Sequence, residues 1–416
     1  MPQRTQMEKD SSTNKLKIIN DPVYGFIKIP YDIVFDLIEH PLFQRLRRIR
    51  QLGLTHFVYP GANHTRFQHA VGAMHLMGLA IEVIRSKGHA ISEEEARAVT
   101  IAILLHDIGH GPFSHSLEHS LIKNTSHETI SLMFMEQLNE EFQGELSLAI
   151  EIFKNRYPKK FLHQLVSSQL DMDRLDYLKR DSFFTGVTEG VIGSDRIIKM
   201  LNVLNDQLVV EEKGIYSIEN FLIARRLMYW QVYLHRTVVA SEQLLVMMLK
   251  RAQALTAGGE KLFATPALNY FLQENSQVSL DQFALLDDND ILTAAKVWCN
   301  NSDSVLSMLA DGLVNRKLFS VELNNKPFKT ERVQKLRKRT ANSLSIPEKE
   351  AEYLVVSDSI SNYAYSDMDD RITIMDKRGD THDIAEASDI LNISVLSLTV
   401  RKYFLCYPRL IIEKNS

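Results

Sequence analysis

The sequence predicts a mainly α protein, a large helical body followed by a smaller α+β C-terminal part. From Tyr31 to about residue 315, apolar residues recur at helical spacing between capping residues and glycine or proline stops. From about residue 351 the character changes: EYLVVSDS, NYAYSDMDDRITIMDKRGDTHDI and YFLCYPRLII are rich in β-branched and aromatic residues. The bulk numbers fit a globular chain, with 416 residues, 45% hydrophobic and 24% charged. That length suggests two or three folding units.

The elements follow in order. Residues 1–14 are expected to form a disordered tail. LKIINDPVYGFIKIP alternates around Asn20, Asp21, Pro22 and Gly25, which predicts a β-hairpin. Two helices are expected over Tyr31–Glu39 and Pro41–Leu52, the second with proline in its first turn. A further helix runs near Thr65–Lys87 up to Gly88, and the next starts at Ser92, whose SEEE opening is a good cap with acids in the first turn. That helix carries AVTIAILLHD and breaks at Gly109, Gly111 and Pro112. Residues 113–255 read as mostly helical, with a hairpin at Gln207–Tyr216, and helices continue through 256–315. In the C-terminal part, Lys377–Asp380 is a hairpin turn and Ala387–Val400 a helix. The expected divisions are 1–14, 15–60 (hairpin and helices), 61–255 (catalytic), 256–345 (helical extension) and 346–416 (α+β).

Charge and cysteine content narrow the function. A net charge of −4 and a pI near 6.4 give no whole-chain signal for nucleic acid or membrane. Cys299 and Cys406 are the only cysteines and lie far apart, which speaks against a disulfide framework or a thiolate zinc site and fits a reducing cytoplasm. No run of eighteen apolar residues occurs, and Met1–Lys15 has no apolar signal-peptide core, so a cytoplasmic protein without a membrane span is expected. The run Lys326–Arg339 carries seven positive charges with only Phe328 interleaved, so it reads as a solvated helix or loop rather than a nucleic-acid surface.

Histidine is the outlier. Nine of fourteen fall between His64 and His127, where an even spread would put about two. His106-Asp107 ends an apolar helix, where an imidazole beside a carboxylate is costly unless paired or bound to a cation. Neighbouring residues point about 100° apart on a helix, so both reach one ion only at a frayed end, which IGHG supplies. His69 lies upstream in HTRFQHAVG, and an acid lies downstream in SSQLDMDRLDYLKRD. His, His-Asp and Asp from three helices would make an N/O site with room for water, suited to Mn, Fe, Zn, Ni or Mg. Spacing alone leaves Asp171, Asp173 and Asp176 competing for the last place.

NDPVYGFIKIP, FQRLRRIRQLG, YPGANHTRFQHAVG, LLHDIGHGPFSH, DMDRLDYLKRD and MYWQVYLHR occur in that order over residues 17–240. This series resembles the HD-domain deoxynucleoside triphosphate (dNTP) triphosphohydrolases, both the bacterial members and the animal members that join SAM and HD domains. The resemblance fades after about residue 260. It implies a helical HD-domain phosphohydrolase body and a metal held by His69, His106, Asp107 and Asp173, the last as second Asp of a D-x-D motif. It implies catalytic roles for His110, His115, Glu118, His127 and Glu128, with His115 the acid that protonates the departing 5′ oxygen. Glu118 stands where the animal members have Asp. For substrate it implies Arg66, Arg174 and Arg225 on phosphates, Tyr177 and Asp181 facing sugar and phosphates, and Gln51, Leu52 and Tyr233 under the sugar. Arg174 replaces a lysine of the animal members and Tyr229 a histidine, which leaves the handling of the base open. An activating nucleotide between subunits would use Asn20, Glu39, Gln44, Arg47 and Arg316; Glu39 stands for an Asp there and Ser320 for a lysine. A homo-oligomer, a tetramer in the animal members, is implied in the same way.

The expected reaction is cleavage of a dNTP to deoxynucleoside and inorganic triphosphate. The alternatives are another HD-type nucleotide phosphohydrolase or a silent nucleotide sensor. The acidic pair of the alarmone enzymes after HD and the GYP signature of the cyclic-dinucleotide enzymes are both missing. A silent sensor would have lost a ligand or His115, and all are present.

Overall fold

The computed structural model describes residues 17–113, 121, 125–273, 278–362, 365, 371–388 and 400–409. The N-terminal tail, His115, Glu118 and 389–399 of the helix expected over Ala387–Val400 lie outside these residues. Strands β1 (Ile18–Asp21) and β2 (Gly25–Lys28) pair antiparallel, Ile18 opposite Lys28, as the expected hairpin. Asp21 Oδ1 closes the turn by accepting from the Val23 and Tyr24 amides at 2.9 and 3.1 Å. Helices α1 (Asp32–Glu39) and α2 (Pro41–Gln44) follow. The second departs from the expected Pro41–Leu52 helix: after one turn it tightens to 3₁₀ over Arg45–Arg48 and then extends. The extended stretch pairs with the segment before the next helix, Gln51 N donating to His64 O and Arg66 N to Ile49 O, both at 3.0 Å. That ladder takes the backbone groups a longer helix would need.

The body is built on α3 (Arg66–Ser86), α4 (Glu93–Leu105), α5 (His127–Glu141), α6 (Ser147–Phe153), α7 (Lys160–Val166) and α8 (Met172–Thr185). By length and composition α3 could cross a bilayer, but most of its apolar window is buried inside the protein, against α4 and α8. Gly72 makes the α3–α8 approach possible, because a Cβ there would strike the Asp176 carboxylate and the Arg180 guanidinium.

Then come α9 (Ser194–Met200), β3 (Leu201–Leu204), β4 (Gln207–Glu211), α10 (Ile215–Met228) and α11 (Arg236–Ala257). The hairpin therefore sits earlier than the expected Gln207–Tyr216, turning at Asn205 and Asp206, which both take positive φ. Between α10 and α11, Tyr229–Tyr233 form a π-helical turn. Helices α12 (Pro266–Leu272), α13 (Leu280–Leu285), α14 (Asp288–Trp298) and α15 (Ser304–Val314) complete the helical part, with α15 packed on α11.

The C-terminal segment is shared between two sheets. β5 (Ser320–Asn324), inside the stretch expected to be a helical extension, pairs with β9 (Val400–Tyr407), and β6 (Val356–Asn362) lies on the other side of β9. β7 (Thr373–Met375) joins β4 in parallel and turns at Gly379, φ +88°, into β8 (Thr381–Asp383). The basic run becomes α16 (Thr330–Leu344), largely exposed as expected. One apolar core runs from Ile27 to Cys406.

Candidate metal centre and its cavity

Helix α4 delivers His106 and Asp107. Ser92 caps it reciprocally, Glu95 N donating to Ser92 Oγ at 3.1 Å and Ser92 N to Glu95 Oε2 at 2.8 Å. The helix ends at Leu105, so His106 and Asp107 project from a turn, as the glycines imply. That turn is pinned: Ser131 Oγ donates to His106 O at 2.7 Å and accepts from Gly109 N at 2.9 Å. A Cβ on Gly109 would collide with the α5 backbone. From the other side the fully buried Arg45 donates to Ile108 O at 2.8 Å, His110 O at 2.9 Å and Leu286 O at 3.2 Å. Asp288, opening α14, accepts from Phe113 N at 3.1 Å and Arg50 N at 3.0 Å.

The ligating atoms of His69, His106 and Asp173 lie within 4.8 Å of one another. His69 Nε2 is 3.4 Å from His106 Nε2 and 3.1 Å from Asp173 Oδ1, and His106 Nε2 is 3.4 Å from the same oxygen. The outer nitrogens fix the tautomers. His106 Nδ1 faces Ile103 O at 2.6 Å and His69 Nδ1 faces Asp176 Oδ2 at 2.8 Å, so each must donate. In the neutral rings both Nε2 atoms then carry lone pairs aimed at each other, an arrangement that only a positive charge between them satisfies. Asp107 borders the group, with Oδ1 3.4 Å from His106 Nε2 and 3.3 Å from His110 Nε2, and Oδ2 3.7 Å from His69 Nε2 and bonded to Arg66 Nη1.

The electrostatics agree. Burial opposes a charge on His69, but hydrogen bonds to Asp173 and Asp176 outweigh it and lift its pKa to about 10. His106 is raised as well, burial being overcome by the Asp107 charge and by Asp173. Against the same burial, His106, His110 and Arg66 hold Asp107 well below the usual carboxylate range, and the two ligating histidines pull Asp173 down. The pocket is organised around added positive charge, which fits a divalent cation bound by N and O donors.

The three competing aspartates separate by position on α8. Asp171 is its N-cap, accepting from Arg174 N and Ser168 N at 2.7 Å each, and is fully buried. Asp176 is also fully buried, orients His69 and pairs with Arg180 at 2.9 Å. Asp173 alone faces the two histidines with part of its carboxylate exposed.

Asp173 also lines a cavity of about 1020 Å³, and all nine residues expected to hold substrate line it with Asp173. Gln51 and Leu52 come from the segment before α3, Arg66 from the start of α3, Arg174, Tyr177 and Asp181 from α8, Arg225 from α10, and Tyr229 and Tyr233 from the π-helical turn. The Tyr177 and Tyr229 rings each meet Tyr233 edge-on, at 6.3 and 5.2 Å between centroids. Asp181 is a strut rather than a free anion: it accepts from Tyr233 OH at 2.8 Å and lies 2.7 Å from His64 Nε2. Among the described residues, four buried polar atoms on this wall have no hydrogen-bond partner: Gln51 Oε1, Arg174 Nε, and Nε and Nη1 of Arg225. Buried N–H groups of a guanidinium are costly to leave unpaired.

Of the expected catalytic residues, His110 stacks on His127 with centroids 3.9 Å apart. Burial, followed by the Arg66 charge, keeps His110 well below its ordinary pKa and hence neutral near pH 7. Glu128 is exposed on the first turn of α5. The expected effector residues lie on the surface. Arg47 donates to Gln44 Oε1 at 2.8 Å and lies over the Phe67 ring at 3.5 Å, while Glu39 and Asn20 are exposed nearby in sequence. Arg316, at φ +55°, donates both Nε and Nη2 to Phe57 O.

Arg45, His64, Asp288 and Glu242 were missed as site-forming residues. Arg45 hides within an arginine-rich run, His64 and Asp288 take part through contacts far apart in sequence, and Glu242 lines the cavity from a helix that no motif marks.

Two family models match, "HD domain" over residues 66–181 and "HD associated region" over 192–393. A crystal structure of a phosphohydrolase from Bacteroides thetaiotaomicron is 58% identical with a TM-score of 0.92, covering 95% of this chain and all of that one. The uncharacterized protein YwfO of Bacillus subtilis is 34% identical over 74% of this chain and 72% of its own length. The SAMHD1 homolog of Dictyostelium discoideum, named a deoxynucleoside triphosphate triphosphohydrolase, is 34% identical over 54% of this chain. The chain spans only 47% of that relative's length.

Proposed function

The chain belongs to the HD-domain phosphohydrolases, its HD domain followed by an HD-associated region, and from that premise we propose that it is a metal-dependent dNTP triphosphohydrolase. One observation carries the reading: the His69–His106–Asp173 cluster opens onto a cavity whose wall holds Arg174 and Arg225 with buried N–H groups that have no partner among the described residues. A polyanion set against a divalent cation satisfies both halves at once. The relatives named deoxynucleoside triphosphate triphosphohydrolase support the substrate class.

His69, His106, Asp107 and Asp173 would hold the cation. Its N/O donors suit Mn, Fe, Zn, Ni or Mg, and it would supply Lewis acidity toward phosphate oxygens. Arg66, Arg174 and Arg225 bind the triphosphate, with His110 beside it as a neutral donor. Tyr177 and Tyr233, the latter fixed by Asp181, pack against the sugar together with Gln51 and Leu52. His115, oriented by Glu118 and His127, protonates the departing 5′ oxygen. Asn20, Glu39, Gln44, Arg47 and Arg316 bind an activating nucleotide between subunits of a homo-oligomer in the cytoplasm. The exposed Gln44–Arg47 pair over Phe67 supports this last part.

The test is to incubate metal-loaded protein with each dNTP and separate the products. Deoxynucleoside and inorganic triphosphate in equal amounts are expected. Release of monophosphate with pyrophosphate, or of free phosphate, sinks the assignment to the bond between the 5′ oxygen and the α-phosphorus.

A further inference from the structure

The cavity extends beyond the residues given to metal, phosphate and sugar. One face of α11 lines it through Glu242, Gln243, Val246, Met247 and Lys250, the spacing of a single helical stripe. β6 lines it as well, including Asp358 and Ser359, so the C-terminal sheet borders the chamber. Glu242 stands out on this stripe. It is partly buried, and among the described residues it has no hydrogen-bond or ion-pair partner. Burial alone pushes its pKa up to about 7, with no neighbouring charge contributing.

A carboxylate would repel a triphosphate, so Glu242 does not belong with Arg66, Arg174 and Arg225. The sugar is taken by the tyrosine cluster. The remaining part of a nucleotide is its base, and Glu242, ionised once the pH passes about 7, then only accepts hydrogen bonds. The four DNA bases differ in what they offer it. Guanine presents a ring N–H beside an exocyclic N–H₂, two adjacent donors matching two carboxylate oxygens. Adenine and cytosine place a ring acceptor beside their amino group, and the thymine N–H lies between two carbonyl oxygens that a carboxylate repels.

We propose that Glu242 is a specificity-determining residue that reads the nucleobase in the part of the cavity lined by α11 and selects guanine. The inference rests on the dNTP reading above. A well-placed bidentate pair discriminates by about tenfold or more.

The test compares kcat/KM for dGTP, dITP, dATP, dCTP and dTTP in the wild type and in Glu242→Gln. Wild type is expected to favour dGTP over dTTP by about tenfold or more, and over dITP, which lacks only the exocyclic amino group, by about tenfold. Glu242→Gln should bring dGTP to within about threefold of dATP, since an amide offers one donor and one acceptor. Equal use of dGTP and dITP by the wild type overturns the proposal without any variant, as does an unchanged dGTP preference in a folded Glu242→Gln. If no dNTP is turned over, the reaction reading fails separately. Equilibrium binding of dGTP, dITP and dTTP to metal-depleted protein then decides the base reading: tighter dGTP binding supports it, and equal or absent binding overturns it.

Discussion

The metal cluster and the cavity wall beside it hold opposite kinds of side chain. Around the metal cluster the inward-facing groups are held from behind: His69 by Asp176, His106 by the Ile103 carbonyl, and Asp107 by Arg66. On the wall, among the described residues, Arg174, Arg225 and Glu242 face the cavity with polar atoms that lack a protein partner. The first half is preorganised by its own contacts, whereas the second completes its contacts only with a ligand in place. On the proposed function the difference separates a metal-holding half from a ligand-reading half, and mutations should divide along it.

The largest expected effect lies in the first half. Asp173→Ala should remove both metal and turnover, a loss beyond the 10–100-fold typical of groups that merely orient a ligand. Metal analysis beside product assays checks this, and retained metal with lost turnover would move Asp173 out of the ligand set. Next, Arg225→Ala should lower kcat/KM by about 10²–10³-fold with metal content unchanged, the cost of removing one preorganised donor from developing phosphate charge. Metal loss in that variant would break the division. The smallest effect belongs to Asp176→Asn, which keeps the shape but removes the charge that fixes the His69 tautomer. Metal affinity should fall about 10–100-fold by competition with a chelator, while kcat at saturating metal stays near the wild-type value.

How far the sequence could be read depended on the range of the contacts involved. HD at the end of an apolar helix was legible because the cause is local: a buried run, then glycines. Asp171, Asp173 and Asp176 could not be ranked by spacing, since an N-cap, a cavity-facing acid and a buried pairing acid look alike on one charged helix. The structure separates them by what lies across from each. The premature end of the Pro41 helix comes from pairing with residues 64–66, which no propensity reports. β5 finds its partner about 80 residues downstream in β9, and its polar SVELN pattern carries little strand signal. The π-helical turn at Tyr229–Tyr233 is a property of the hydrogen-bond ladder, whereas the sequence shows only aromatic content.

Arg45 sits between Gln44 and Arg47, the surface residues assigned to an effector, while its guanidinium grips the carbonyls of Ile108 and His110. Fully buried and stacked 4.9 Å from the Phe283 ring centroid, it has no water to turn to. If the 44–47 segment shifts, either the 108–110 turn travels with it or two buried carbonyls lose their donor, at roughly 1–3 kcal/mol each. The molecule thus contains a rigid linkage between its outer surface and the turn that presents His110.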